Sequence, residues 1–319
     1  MHEFELIKKY FSKIAKKNKS ALNLNDDVFF DKRRGVVISV DTYNLGTHFF
    51  NFQSPDLVIK KILRSSISDL ICKGVKPKFY FISGSGNKTS FTKNNLYKIS
   101  KSLNLEQKKF NIVLCGGDTT FSNKLSFTIT SLGYANKIIY RNKAKLDDDI
   151  YVTGNLGDSY LGLKLLSNKL NIKKKDKLFF ISKYYKPVLP LNLTKYLLKF
   201  ANSSIDVSDG LIDDLSKMIN TQNLSFHLFE KKIPISNKLS NLIKNQRLNK
   251  INLVSNGDDY QVLFTANVNK TRIIQNASKT TGIKITKIGK IVSGKDRSFI
   301  FDEKGKQIQA KSKGYIHQF

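Results

Sequence analysis

Several short apolar segments of this chain end in an aspartate, and this arrangement constrains the fold more than any other feature. Residues 35–41 form an apolar run that ends at Asp41, and residues 112–115 lead through two glycines to Asp118. Asp206 and Asp209 bracket two residues and lead into a predicted helix. Acids at strand ends and helix starts project into the crevice where α/β folds bind ligands. The pattern therefore predicts an α/β fold with converging carboxylates.

Strands and helices alternate along the rest of the chain. Ser54 and Pro55 are typical of a helix start and Gly74 of a helix end, so a helix is predicted between them. The polar stretch 141–149 marks a break, which predicts an α/β or α+β fold with an N-terminal domain at 1–143 and a C-terminal α/β domain at 144–319. We predict further strands at 79–83, 126–132, 150–153, 226–229, 261–266, 284–292 and 298–301, and further helices at 92–104, 159–168, 190–202 and 209–221.

Composition excludes several classes of protein. The chain has 319 residues, of which 40% are hydrophobic, enough to bury a substantial core. No apolar run approaches the roughly 18 residues of a membrane span, and the first residues lack the apolar segment of a secretory signal. Cys72 and Cys115 are the only cysteines, which fits a reducing compartment. We therefore expect a cytoplasmic protein without a membrane partner.

The formal net charge of +30 admits two interpretations. A strongly basic protein could bind nucleic acid. The lysines, however, are scattered among many Asn and Ile residues, and all three residue types have A/T-rich codons, so genome composition also explains the excess. We expect no nucleic-acid partner, and a basic nucleic-acid-binding protein is kept as the alternative from a different class.

Carboxylates that converge on one site repel one another and need a cation. Oxygen ligands of this kind favour Mg²⁺, which commonly bridges carboxylates to the phosphates of a substrate. The sequence therefore indicates a metal–nucleotide site, although a single aspartate is also an ordinary N-cap or turn residue. The chain has neither a P-loop nor a G-x-G-x-x-G motif after a strand. His48, just beyond the strand that ends at Asp41, is a candidate substrate contact.

Nine segments resemble motifs of the thiamine-monophosphate kinase family, in the family's order and over nearly the whole chain. That family shares its fold with aminoimidazole ribonucleotide synthetase and selenophosphate synthetase. The segments, each with the motif it resembles, are residues 3–7 (G-E-F-x-L-I), 26–27 (G-D-D), 39–49 (S-T-D-T-x-x-x-G-x-H-F), 66–74 (N-L-S-D-L-A-A-M-G), 116–120 (G-G-D-T-T), 151–158 (Y-V-T-G-x-L-G-D), 205–211 (I-D-L-S-D-G-L), 256–261 (G-G-E-D-Y-E-L) and 313–319 (K-G-Y-D-H-F).

The resemblance implies an enzyme that phosphorylates thiamine monophosphate to thiamine diphosphate with ATP, and we interpret the step as direct in-line transfer. It implies a two-domain fold like that of aminoimidazole ribonucleotide synthetase. The N-terminal domain, a mixed sheet with helices, would bind ATP and Mg²⁺ and form a homodimer, and the C-terminal domain would complete the substrate site.

The resemblance also assigns residues to roles. The catalytic residues are Asp41, Asp69, Asp118 and Asp209. The Mg²⁺ ligands are Asp27, Ser39, Asp41, Asp69, Asp118, Asp206 and Asp209. Contacts with ATP are assigned to Gly117, Asp118, Arg141 and Ser208, and contacts with substrate to His48, Asp258 and Tyr315.

Six positions depart from the family motifs while the core acids are retained. The departures leave open the number of metal ions and the identity of the acceptor, so another ATP-using enzyme of the same superfamily is a second alternative. They are Asn23 and Asn25 in place of glycines, Val40 in place of Thr, Ser66 in place of Asn, Phe121 in place of Arg, and Asp258 in place of Glu.

Overall fold

A computed structural model describes residues 3–168, 170, 172–312 and 314–315. Over these residues the first half of the chain builds one sheet of six strands, in the order β1-β2-β6-β3-β4 with β5 paired to β3. Its strands are β1 (Phe29–Asp31), β2 (Val36–Asn44), β3 (Pro77–Gly86), β4 (Val113–Gly116), β5 (Thr119–Phe121) and β6 (Ser126–Tyr134). Its helices are α1 (Glu3–Leu6), a π-helix (Ile7–Phe11), α2 (Ser12–Ala15), a 3₁₀-helix (Lys19–Leu24), α3 (Pro55–Cys72) and α4 (Lys93–Phe110).

The second half builds another sheet, in which seven described strands follow the order β13-β12-β9-β11-β7-β10-β8. The pairs are antiparallel except for β12 with β9. The strands are β7 (Asp149–Thr153), β8 (Ala201–Asp206), β9 (Leu224–Phe229), β10 (Val262–Ala266), β11 (Ile285–Ser293), β12 (Phe299–Phe301) and β13 (Gln307–Ile308). The helices are α5 (Asp158–Leu166), α6 (Lys174–Tyr185), α7 (Thr194–Leu197), α8 (Leu211–Ile219), α9 (Asn237–Gln246), α10 (Lys250–Val254) and α11 (Thr271–Thr281), with 3₁₀ turns at Leu191–Leu193, Glu230–Lys232 and Val268–Lys270.

Helix α3 lies between the two sheets and contacts strands of both, including β2 and β6 of the first and β8 and β10 of the second. It starts after Ser54, as predicted, although the Ser54 side chain makes no capping hydrogen bond. Its last residue is Cys72, and Gly74, two residues later, has a φ of +76°, the left-handed conformation that a glycine after a helix adopts readily. The largest group of buried apolar side chains surrounds this helix and draws on both sheets, for example Tyr80 and Phe264.

The predicted mixed α/β fold in two halves is confirmed, whereas one predicted helix is wrong. Residues 190–202 form only a 3₁₀ turn and the four-residue helix α7, and the chain then enters strand β8. Strand β8 pairs with β10, with Asp206 opposite Val262 and Ile205 opposite Leu263. Because Asn and Ser are weak helix formers, the long-range pairing of residues 201–204 overrides the local apolar pattern.

The last two residues of the polar stretch 141–149, Asp148 and Asp149, are buried and do not form a solvated turn. Asp148 is completely buried and accepts hydrogen bonds from Asn202 Nδ2 and Thr265 Oγ1, both at 2.9 Å. Asp149 is buried as well and forms an ion pair with Lys287 at 2.6 Å. These two acids therefore tie β7 to β8, β10 and β11 rather than facing solvent.

Candidate active site

Three elements bring three aspartates to one groove. Asp41 lies on β2, Asp69 in the second half of α3, and Asp206 at the end of β8. The Ser39 Oγ lies 2.5 Å from Asp69 Oδ2 and 3.4 Å from Asp41 Oδ2, so it joins the first two acids. Ser68 donates a hydrogen bond to Asp206 from the adjacent position of α3. The fold thus brings Asp41 and Asp206, two acids of the predicted converging set, together with Asp69 of α3.

The carboxyl groups of this groove are held in an environment that disfavours their charge. Burial, reinforced by the charge of Asp27, raises the pKa of Asp206 to about 8. Burial likewise raises the pKa of Asp41 to about 6. Burial and the carboxylates of Asp41 and Asp206 raise the pKa of Asp69 well above its usual range. Among the described residues no lysine or arginine forms an ion pair with these three carboxyl groups, and their oxygens are donors that Mg²⁺ prefers.

A second group of acids at the same groove is already neutralised by the protein. Lys73 Nζ lies 2.7 Å from Asp26 Oδ1 and 2.6 Å from Asp27 Oδ2, and Arg141 Nη1 donates to Asp27 Oδ1 at 2.8 Å. Lys73 Nζ and Asp27 Oδ2 form an ion pair, but their geometry is not that of a hydrogen bond. Although burial opposes it, the charges of Lys73 and Arg141 hold the pKa of Asp27 well below its usual range.

Ser208 and Asp209 lie between β8 and α8 and line the groove from the other side. Asp209 forms an ion pair with Lys217, which also lies 3.0 Å from Asp214 Oδ1. The Asp214 carboxylate accepts hydrogen bonds from the backbone N–H of Asp209 and Gly210, at 3.0 and 2.9 Å. Asp214 thereby fixes the turn that presents Asp209 to the groove.

A cavity of about 280 Å³ adjoins the acids and holds the predicted substrate contacts His48, Asp258 and Tyr315. Asp258 forms an ion pair with the buried Lys61 and accepts a hydrogen bond from the hydroxyl of Tyr260 at 3.1 Å. The backbone N–H of Asn44 donates to His48 Nδ1 at 3.0 Å, so a neutral imidazole carries its proton on Nε2. Tyrosines 43, 160 and 260 form much of the remaining wall.

Gly117 and Asp118 are not among the described residues that line the groove or this cavity. Asp41 on β2 pairs with Ile129 on β6, and Ile129 pairs with Ile82 on β3. On the far side of β3, the Asp118 carbonyl oxygen accepts a hydrogen bond from the backbone N–H of Gly84. Three strand spacings therefore separate Asp41 from Asp118, roughly 14 Å. Gly117 fits its loop only as glycine, since a Cβ there would lie 1.7 Å from the Ile82 carbonyl oxygen. The fold of a single chain therefore brings together all the predicted site residues except Gly117 and Asp118.

A larger cavity of about 870 Å³ lies beside the N-terminal helices. It shares only Asp26 with the acids described above, and its other lining residues are apolar, amide-bearing, hydroxyl-bearing or lysine side chains. The acid-lined groove offers chemistry that this larger cavity does not, so we take the groove and the adjoining cavity as the candidate active site.

Lysines 61, 73 and 217 are the site residues that the sequence analysis missed. All three are at most 11% exposed and each pairs with an acid of the site. A signal was present for Lys73, because it follows Leu70, Ile71 and Cys72 directly before the helix-ending glycine. A charged residue in such an apolar run is buried only when it is paired.

The two-sheet fold and its acid groove define a class of proteins. Residues 24–135 match the family described as "AIR synthase related protein, N-terminal domain". The chain is 35% identical over 328 residues to the thiamine-monophosphate kinase of Buchnera aphidicola subsp. Acyrthosiphon pisum, covering 99% of this chain and 98% of that protein. It is 32% identical to that of Haemophilus influenzae, covering 91% and 89%. The chain therefore belongs to the thiamine-monophosphate kinase family, which confirms the resemblance.

A solved structure gives the same result in three dimensions. AaThiL complexed with AMPPCP and TMP matches this structure with a TM-score of 0.84 at 25% sequence identity, covering 99% of this chain and 97% of that one. That agreement confirms the predicted AIR synthase-like architecture. In the part of the chain that the structure describes, no helix combines the length and the apolar character needed to cross a bilayer.

Proposed function

We propose that this chain transfers the terminal phosphoryl group of ATP to thiamine monophosphate, giving thiamine diphosphate, the last step in the synthesis of that cofactor. The observation that carries the proposal is the continuity of the acid groove with the cavity of His48, Asp258 and Tyr315, since Ser208 and Asp209 line both. Family membership and the likeness to a structure that holds AMPPCP and TMP support the same reaction.

The donor set fits Mg²⁺, because three carboxylates and a hydroxyl converge without a lysine or arginine ion pair among the described residues. Asp41, Asp69, Asp206 and Ser39 would hold the metal, with Asp209 at the rim. When bound, Mg²⁺ supplies positive charge that screens the repulsion between two phosphate groups. The predicted role of Asp118 requires a nucleotide or a second chain to span the distance from Asp41.

The residues of the chain bind and orient the two phosphates, and they need not remove a proton. The acceptor is a phosphate oxygen that is already ionised near neutral pH, so no strong general base is required. Arg141 adds a fixed positive charge at the groove, where it is only 5% exposed. No side chain is assigned as a nucleophile, which supports direct in-line transfer. Trapping of a phosphorylated enzyme would contradict this step.

The cavity walls suit the rest of the acceptor. Tyr160, Tyr260 and Tyr315 offer aromatic surface for flat rings, and aromatic faces also attract cations such as a thiazolium ring. Asp258 places a carboxylate in the same wall. These features support the assignment of His48, Asp258 and Tyr315 to substrate binding.

We also propose a homodimer formed through the first sheet, with domains at 1–143 and 144–319. One face of this sheet exposes large apolar side chains that a lone chain leaves in water: Val40 (60% exposed) and Phe81 (40%), both opposite Thr130, and Val113 (52%), which pairs with Phe79. An exposed apolar patch on a sheet is typical of a protein interface. Gly117 and Asp118 lie at the same edge of the sheet. The unpaired cysteines Cys72 and Cys115 support a cytoplasmic location.

The test is production of thiamine diphosphate, detected by chromatography after incubation with ATP, Mg²⁺ and thiamine monophosphate. The wild type and Asp147→Asn, at a side chain that is 71% exposed, should form product at similar rates. Asp69→Asn should lose at least about 100-fold, the usual effect of removing one electrostatic contributor. ATP hydrolysis without thiamine diphosphate from the wild type would instead favour a superfamily member with a different acceptor.

A further inference from the structure

Lys73 is a buried cation beside the groove, and contacts from several sides fix its position. Its side chain is completely buried. Its Nζ donates to the carbonyl oxygen of Ser204 on β8 at 3.0 Å. Its backbone N–H bonds to Leu70 O and its backbone oxygen accepts from Ile139 N, both at 3.1 Å. The ammonium therefore cannot leave the Asp26–Asp27 pair without disturbing the end of α3.

Each carboxylate oxygen of the Asp26–Asp27 pair faces a cationic or N–H group of the protein, although Asp27 Oδ2 accepts no hydrogen bond. Asp26 Oδ1 accepts from Asp27 N at 2.9 Å and faces Lys73, and Asp26 Oδ2 accepts from Arg141 N at 2.9 Å. Asp27 faces Lys73 with one oxygen and Arg141 with the other. Two negative charges thus meet two positive charges at contact distance, and the pair is electrically balanced.

The other side of the groove has the opposite balance. Among the described residues, no lysine or arginine forms an ion pair with Asp41, Asp69 or Asp206. A divalent cation gains most where carboxylates lack other counter-charges, and it competes poorly where an ammonium already sits between two carboxylates.

We propose that the Lys73 ammonium is a built-in cation at the Asp26–Asp27 pair, so that Asp27 does not bind Mg²⁺ in this chain and the metal is confined to the Asp41, Asp69 and Asp206 side. The inference rests on the proposed Mg²⁺ site, and it refines that site by removing one assigned ligand. Lys73 is a positioning residue, since it contacts the acids rather than the reacting atoms.

The experiment counts Mn²⁺ ions bound per chain by electron paramagnetic resonance, in the presence of AMPPCP. Asp27→Asn should bind as many ions as the wild type, whereas Asp69→Asn should bind fewer. Lys73→Met should bind one more ion than the wild type, because the freed carboxylates become available. Lys76→Met, at an exposed lysine three residues away, is the matched control and should leave the count unchanged.

A second measurement uses the thermal midpoint. In EDTA, Lys73→Met should melt below the wild type, and Mn²⁺ should recover most of that loss, while Lys76→Met should follow the wild type in both conditions. If Lys73→Met does not fold, the comparison of Asp27→Asn with the wild type decides by itself. Loss of an ion in Asp27→Asn overturns the inference.

The proposed function stands or falls separately, on formation of thiamine diphosphate by the wild type. Product formation together with ion loss in Asp27→Asn would refute the role of Lys73 and leave the reaction in place. Equal counts in the wild type and a folded Lys73→Met would also refute it.

Discussion

Glu106→Gln should destabilise the protein by about 3 kcal/mol, because removing one partner of a buried ion pair leaves the other charge uncompensated. Arg64 on α3 and Glu106 on α4 are only 5% and 3% exposed, and they meet through two parallel contacts of 2.7 and 2.9 Å. Arg64 also donates to the carbonyl oxygen of Pro187 at 3.0 Å. A loss of about 3 kcal/mol lowers the folding equilibrium constant roughly 150-fold.

A double-mutant cycle separates the interaction energy of the Arg64–Glu106 pair from the other contacts of the two residues. Arg64→Met combined with Glu106→Leu replaces both charges by apolar side chains, and such replacements of buried pairs are often close to neutral. The double variant should therefore cost clearly less than the two single variants added together. Urea denaturation followed by circular dichroism gives the four free energies of unfolding. Additive costs, or a loss below about 1 kcal/mol for Glu106→Gln, would refute the reasoning.

Four further outcomes are expected. Asp69→Asn should abolish thiamine diphosphate formation while circular dichroism stays unchanged. Lys61→Met should raise the KM for thiamine monophosphate about 10-fold with a smaller change in kcat, because Asp258 loses its ion-pair partner. Burial raises the pKa of Asp158 from 3.8 to about 6. The free energy of unfolding should therefore fall by up to about 3 kcal/mol as the pH rises between these two values, because the unfolded chain loses this proton first. Asp158→Asn should remove that fall, as measured by the urea midpoint at each pH. Phe81→Lys should give monomers by sedimentation velocity, because Phe81 lies on the exposed apolar face of the first sheet.

Each of these outcomes can fail in a recognisable way. A drop in kcat with unchanged KM for Lys61→Met would place Asp258 away from substrate binding. An unchanged pH dependence in Asp158→Asn would mean that another group dominates between pH 4 and 6. A Phe81→Lys protein that sediments as the wild type does would contradict the proposed interface.

Asp41 and Asp206 could be predicted from the sequence because the end of an apolar run is a local signal, although β2 continues beyond Asp41 to Asn44 and only Asp206 ends its strand. Asp41 and Asp206 lie where the apolar runs stop, and the structure brings them to one groove. The strand at 201–206 could not be predicted in the same way. Its identity depends on pairing with β10, which lies about 60 residues later in the chain, and local propensity says nothing about that partner.

The basic residues that pair with the carboxylates of the site also could not be predicted from the local sequence. Among 55 lysines and arginines, nothing in sequence spacing singles out the lysine that reaches Asp258, because the two residues are 197 positions apart. The separation of Asp118 from Asp41 depends likewise on the order of strands in the first sheet. The sequence motifs identified the residues of the site, whereas the distances between those residues depend on the topology of the two sheets.

Helix α3 carries Lys61, Arg64 and Asp69, and Lys73 is its C-cap residue, so a single helix sets the angular positions of contacts with both sheets. Each residue of an α-helix turns the chain by about 100°, and a single inserted residue after Lys61 would therefore swing everything beyond it to another side. The acid groove, the α4 contact and the second sheet would lose their partners in one event. A point substitution in α3 therefore removes the contacts of one residue, whereas a change in the length of the helix disturbs the contacts of every residue beyond it. The number of residues in this helix is thus as constrained as their identity.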